Sequence, residues 1–174
     1  MALNKMALYL PNQKSINIYQ MKKYILILTF FTFVNLFAQD AKINWVTVSE
    51  ALELQKKNPK PIFMDVYTTW CGPCKMLDAQ VFNQPQFIDL INKNYYAVKF
   101  NGEGNEAVNY KGVKYANPGY DPSRTGRNAM HEFTGFLQVK GYPSMYILDE
   151  KGEQKNVIVG FRTVDQLISE LGAK

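Results

Sequence analysis

The chain has 174 residues, with 20 Lys and Arg against 15 Asp and Glu, 47% hydrophobic residues and two cysteines. Four of the basic residues (Lys5, Lys14, Lys22 and Lys23) precede Asp40 with no acid among them, so the remainder balances 16 basic against 15 acidic residues. A near-neutral body excludes a nucleic-acid footprint and gives acidic partners no general attraction.

Residues 1–20 carry no strong periodicity and read as an upstream extension, with translation expected to begin at Met21. Met21-Lys22-Lys23 is a positive n-region, and Tyr24 to Val34 is an apolar run broken only by threonines. Ala38 offers a small residue for cleavage, so 21–38 reads as a secretory signal peptide. The run is shorter than the roughly 20 apolar residues of a spanning helix. An uncleaved N-terminal anchor is the alternative, and no cysteine follows the run to carry a lipid. Residues 39–174 then form one exported domain, periplasmic in a Gram-negative organism.

In that domain Thr47-Val48-Ser49-Glu50 has capping-box spacing and opens a helix through Leu54 that ends before Asn58-Pro59. Residues 61–67 form a buried strand, apolar apart from Asp65. Trp70-Cys71-Gly72-Pro73-Cys74-Lys75 follows and holds both cysteines. Two thiols with a two-residue spacer can close and reopen a disulfide, and the ring is too small to act as a good staple. Between a strand and a helix, Cys71 sits at a helix N-terminus, where backbone N–H groups and the dipole favour a thiolate. Cys71 is therefore the expected nucleophile and the more exposed of the pair, with Cys74 resolving the mixed disulfide. Two cysteines and one histidine cannot supply four zinc ligands, and Lys75 breaks the CxxCH haem pattern. No metal and no cofactor is expected.

The helix after Cys74 breaks near Asn83-Gln84-Pro85 and resumes through Phe87, Ile88, Leu90 and Ile91. Tyr95 to Phe100 reads as a second buried strand. Residues 101–127, rich in Gly, Asn and Tyr, contain a hairpin of Val108-Asn109-Tyr110 and Val113-Lys114-Tyr115 around Lys111-Gly112. Asn117-Pro118-Gly119 and Asp121-Pro122 are turns. Asn128 to Leu137 reads as a helix with Met130, Phe133 and Leu137 on one face and His131 at its surface or its cap. Ser144–Leu148 and Asn156–Val159 are strands joined at Glu150-Lys151-Gly152. Thr163-Val164-Asp165-Gln166 opens a last helix through Leu171. The order predicts an α/β fold with a mixed central sheet flanked by helices.

The chain resembles the thioredoxin superfamily over nearly all of residues 43–173. Trp70 to Lys75 matches that family's active-site motif, and Gly141-Tyr142-Pro143-Ser144 stands where it keeps a cis-proline loop. Asp65 lies six residues before Cys71, like the family's buried acid, and Lys99 falls where a lysine faces it. Gly160 matches a late glycine. Val81-Phe82-Asn83-Gln84-Pro85-Gln86-Phe87 is similar to a stretch in the branch holding the C-terminal domain of bacterial thiol:disulfide interchange proteins. Residues 101–127 depart from the pattern as an insertion between the second buried strand and the following helix.

The resemblance implies a thioredoxin fold and a protein-disulfide oxidoreductase. Asp65 would take the Cys74 proton with Lys99 tuning it, and Trp70, Gly72, Pro73, Tyr142 and Pro143 would contact substrate. A buried Asp–Lys pair kept for structure and a Trp70 that simply packs remain the plainer readings. Gly-Pro between the cysteines resembles the reducing members. The expected partners are protein thiols and disulfides and a membrane electron donor, with no nucleic acid, and a monomer is the expected state. A disulfide oxidase or isomerase is the rival within the class. A partner-binding holdase with incidental redox activity is the rival outside it. Tyr110, Tyr115 and Tyr120 could line a substrate wall or only pack among themselves.

Overall fold

The computed structural model describes residues 42–172, together with Tyr19 and Lys22. The chain divides into units at 1–40 and 41–174. The expected extension and signal therefore lie outside the described residues, apart from Tyr19 and Lys22, which are helical. No helix among the described residues is long and apolar enough to cross a membrane.

The second unit opens with β1 (Trp45–Val46), a two-residue strand too short to show period-two alternation in the sequence. Helix α1 (Val48–Lys57) begins at the expected capping box. The Glu50 N–H donates to Thr47 Oγ1 at 3.2 Å, and the Thr47 N–H donates to Glu50 Oε2 at 2.8 Å. The helix runs three residues beyond the expected end, to Lys57, and stops at Asn58. Strand β2 (Ile62–Tyr67) leads to α2 (Gly72–Gln80), then α3 (Pro85–Asn94) and β3 (Tyr96–Asn101). The hairpin of β4 (Val108–Tyr110) and β5 (Val113–Tyr115) turns at Lys111 and Gly112, both at positive φ. After α4 (Glu132–Phe136) come β6 (Ser144–Leu148), β7 (Gln154–Val159) and α5 (Val164–Gly172). Strand β7 starts two residues earlier than expected and absorbs them in a register shift beside Ile147 and Leu148.

The main sheet runs β1-β3-β2-β6-β7. Strands β1, β3 and β2 are parallel, whereas β6 lies antiparallel to both β2 and β7. This is the expected mixed sheet of a thioredoxin fold. Helices cover both faces, so β2 reads as a continuous apolar run rather than an alternating one. Alternate residues still divide between two cores. Phe63 and Ala97 pack with Leu77 of α2, Phe87 of α3 and Leu167 of α5, while Met64 and Val66 pack with Val48 of α1 and Phe133 of α4. Asp65 falls on the Phe63 side, directly across from Lys99 in the β2–β3 register.

Helix α4 is shorter than the helix expected over 128–137. The backbone of 128–131 is engaged elsewhere: Asn128 N–H donates to Glu103 Oε2, Ala129 N–H to Asn128 Oδ1, and His131 N–H to the Gly102 carbonyl. Side-chain acceptors thus displace a first helical turn. Met130 is 62% exposed rather than on a buried face.

Candidate active site

A turn after β2, closed by the Cys71 N–H on the Thr68 carbonyl at 3.2 Å, delivers Cys71 to the N-cap of α2. Gly72 and Pro73 are the first helical positions, where a missing N–H costs no intrahelical bond. Cys71 and Cys74 form a disulfide, and the Cys74 N–H points at Cys71 Sγ, 3.1 Å away. That N–H and the helix dipole would stabilise negative charge on the Cys71 sulfur. Exposure does not separate the two cysteines: Cys71 is 3% and Cys74 2% exposed, so the expected difference is absent in this disulfide form. Position on the helix separates them instead. Gly72 and Pro73 stand exposed above the pair.

Asp65 is fully buried, and neither of its carboxylate oxygens has a hydrogen-bond partner. Lys99 Nζ lies 3.4 Å from Asp65 Oδ2, an ion-pair contact without hydrogen-bond geometry. Burial pushes the Asp65 carboxyl up to about 6, against the pull of Lys99 and with some help from the Asp78 charge. Asp78, on α2 one turn beyond Cys74, takes a hydrogen bond from the same ammonium. Trp45, Tyr67 and Phe82 ring the ammonium, their centroids 5.1–5.2 Å away. Asp78 was missed in the sequence because an exposed helical acid reads as solvated, although its i+4 spacing from Cys74 places it on the same helix face.

The Tyr142–Pro143 peptide bond is cis. The Pro143 carbonyl accepts the Gly160 N–H at 2.8 Å, and no partner for the Tyr142 N–H or carbonyl appears among the described residues. Tyr142 meets Trp70 edge to face, centroids 5.9 Å apart. Gly102 backs the Tyr142 ring so closely that a Cβ there would sit 2.7 Å from its hydroxyl oxygen.

Residues 102–131 reach the same place from the other side. Glu103 Oε2 accepts both the Trp70 Nε1–H and the Asn128 N–H, each at 2.8 Å. The Arg127 guanidinium lies over the Trp70 ring, 4.1 Å from its centroid. Neither residue was singled out in the sequence, because contacts across a long irregular loop leave no periodic signal.

Of the three tyrosines, Tyr110 and Tyr115 do not form a substrate wall. Both pack on Phe133 and Phe136 of α4, and Tyr110 Oη donates to the Gly152 carbonyl in the β6–β7 turn, at the sheet end away from Cys71. Tyr120 stays in the loop, its N–H on the Asn117 carbonyl. His131 is wholly buried, not on the surface; its Nδ1 caps α4 by accepting the Phe133 N–H at 3.0 Å.

The profile of the thioredoxin-like domain matches residues 48–173, nearly the whole described body. The chain belongs to the thioredoxin-like domain family. The matched span includes the Cys71–Cys74 couple. The chain is 28% identical over 114 residues, 66% of its length, to the thiol:disulfide interchange protein DsbD of Campylobacter jejuni. It spans only 16% of that protein. A thioredoxin-like protein of Synechocystis is 52% identical over 25 residues, 14% of this chain and 24% of that one. Among solved structures, a Thermus thermophilus thioredoxin superposes with a TM-score of 0.56 at 16% identity, covering 75% of this chain and 85% of that one. The DsbH oxidoreductase gives 0.51 at 20% identity, covering 77% and 88%. At such identities the structures attest the fold alone.

Proposed function

We propose that this thioredoxin-like protein is exported and reduces protein disulfides outside the cytoplasm, using Cys71 and Cys74 as its electron source. The observation that carries the reading is the redox pair at the start of α2, with Cys71 Sγ facing the Cys74 N–H. In the reduced protein, the Cys71 thiolate attacks one sulfur of a substrate disulfide. A Cys71–substrate disulfide forms and the other substrate sulfur leaves as a thiolate, which takes a proton from solvent. Cys74 then loses its proton to Asp65 and attacks Cys71 Sγ, releasing the second substrate sulfur as a thiolate that takes a proton from solvent and leaving Cys71–Cys74 oxidised. Two electrons pass from the dithiol to the substrate.

Asp65 suits the proton step because a group near pKa 6 is mostly ionised at neutral pH yet close enough to it to be protonated transiently. An extended substrate would pair with the open Tyr142 backbone while its side chains rest on Trp70, Gly72 and Pro73. The leader Met21–Ala38 supports export, and a reductant in an oxidising compartment needs electrons from a membrane donor.

The deciding measurement is the reduction potential of the Cys71–Cys74 couple in the full chain, by equilibration with defined thiol buffers. A value near the roughly −270 mV of thioredoxins is expected. One near the roughly −120 mV of strong oxidants overturns the reductant reading in favour of disulfide formation or shuffling. Cys71→Ser should abolish insulin reduction, and retention of turnover would remove Cys71 as the nucleophile. Cell fractionation with N-terminal sequencing tests export, with an N-terminus after Ala38 the expected result.

A further inference from the structure

The described residues place one guanidinium beside the redox motif with nothing acidic to hold it. Arg127 is exposed, and its guanidinium carbon lies over Trp70, 4.1 Å from the ring centroid. It makes no ion pair among the described residues. Of the other cations, Arg124 pairs with Asp121 at 3.5 Å, and Lys99 is shared by Asp65 and Asp78. Lys75 stands exposed on α2 just after Cys74. The acid nearest in the network, Glu103, spends Oε2 on the Trp70 Nε1–H and the Asn128 N–H and does not pair with Arg127.

A guanidinium resting over an aromatic ring with no acidic partner has N–H groups to offer, and those can match a carboxylate in bidentate fashion. The stack is also held in place. Glu103 fixes the indole beneath Arg127 and, through the Asn128 N–H, the backbone next to Arg127. Asn128 and Asp121 exchange two further bonds, Asp121 N–H to Asn128 Oδ1 at 2.9 Å and Asn128 Nδ2 to the Asp121 carbonyl at 2.7 Å. Asn117 Nδ2 ties the loop base to the Gly104 and Ala129 carbonyls. The ring and the loop backbone are thus ordered before a carboxylate docks. Trp70 immediately precedes Cys71, so Arg127 adjoins the residue next to the nucleophile.

We infer that Arg127 is a specificity residue that selects disulfides flanked by acidic side chains, an inference that rests on the disulfide-reductase reading above. The near-neutral body gives no such preference by itself, which makes it a local property of residues 102–131.

The test uses three disulfide-linked peptides differing only in the residues beside cysteine: aspartate, serine or lysine. Single-turnover rates with the reduced full chain are divided by those with tris(3-hydroxypropyl)phosphine, whose attacking phosphorus is uncharged, which removes intrinsic reactivity. At low ionic strength the acidic peptide should react about two- to fivefold faster than the basic one, the range expected of one exposed charge pair. The gap should close near 1 M salt, where the Debye length is about 3 Å. Arg127→Gln should narrow the ratio and Arg127→Glu should reverse it, which a residue that merely packs on Trp70 would not do. Equal rates in the wild-type protein, or a ratio unmoved by Arg127→Glu, overturn the inference while insulin reduction leaves the reductase reading standing. Failure to reduce insulin and every peptide overturns both.

Discussion

Asp65 is a carboxylate in a site with no hydrogen-bond donor, held by one lysine that it shares. Burial disfavours its charge, Lys99 favours it, and Asp78 draws part of Lys99 away. The rate of mixed-disulfide resolution should therefore rise with pH through an inflection near 6 as Asp65 ionises. Asp65→Asn should remove that inflection and slow resolution at pH 7 at least tenfold, since a positioned base contributes about a hundredfold or more. Asp78→Asn should move the inflection down, because it removes a charge that raises Asp65 and leaves Lys99 to Asp65 alone. Stopped-flow pH profiles of the three proteins check both, and a profile unchanged by Asp65→Asn would leave the buried pair a structural role. At this scale the sequence was legible where a motif or a strand register fixes a residue's place. Cys71, Cys74, Asp65, Lys99 and Pro143 could each be placed by spacing and resemblance. Glu103 and Arg127 could not, because only the path of the loop brings them to Trp70.

Helix α4 has five residues, too few to be stable by hydrogen bonding alone. Its position depends on its cap. His131 Nδ1 accepts the Phe133 N–H, so Nε2 carries the hydrogen and donates to the Glu106 carbonyl at 2.7 Å. The ring also meets Phe100 edge to face, centroids 5.1 Å apart. One side chain thus joins α4, the approach to β4 and the end of β3. His131→Ala should cost about 2–4 kcal/mol, combining a lost N-cap with a buried cavity. His131→Asn, which can still cap, should recover part of this, and urea denaturation of the three proteins measures both. Equal losses for Ala and Asn would show that the cap contributes nothing. The capping boxes of α1 and α5, the breaks at Pro85 and the hairpin turn were readable because their signals are local. Strand β1 and the true start of α4 were not. The first is too short to show a period, and the second is set by Gly102 and Glu103, nearly 30 residues earlier in the chain.

For the whole molecule, a buried acid with a raised pKa must make stability depend on pH in an uncommon direction. The folded protein holds the Asp65 proton up to about pH 6, whereas an unfolded chain releases it near 3.8. Between those values the native state binds more protons than the unfolded state, so unfolding free energy falls as pH rises. The penalty is absent below pH 4 and complete above pH 6, amounting to about 3 kcal/mol. Carboxylates held low by hydrogen bonds, Asp121 and Asp149, act oppositely but only below their ordinary range, outside this window, while Glu50, held low by Thr47, opposes the slope only at its acid end. Glu106, raised chiefly by burial, adds to the same slope as Asp65. Oxidised wild-type protein should therefore lose stability between pH 4 and 7 in urea titrations. Asp65→Asn should flatten most of that loss and be the more stable protein at pH 7, even as its resolution step slows. A core built only for stability would place an apolar residue between Phe63 and Leu77. A carboxylate without a hydrogen-bond partner, kept there at such a cost, is what the proposed role in accepting the Cys74 proton would require. If Asp65→Asn proved no more stable at pH 7, the burial penalty would be offset within the Lys99–Asp78 cluster, and that argument for a catalytic acid would fail.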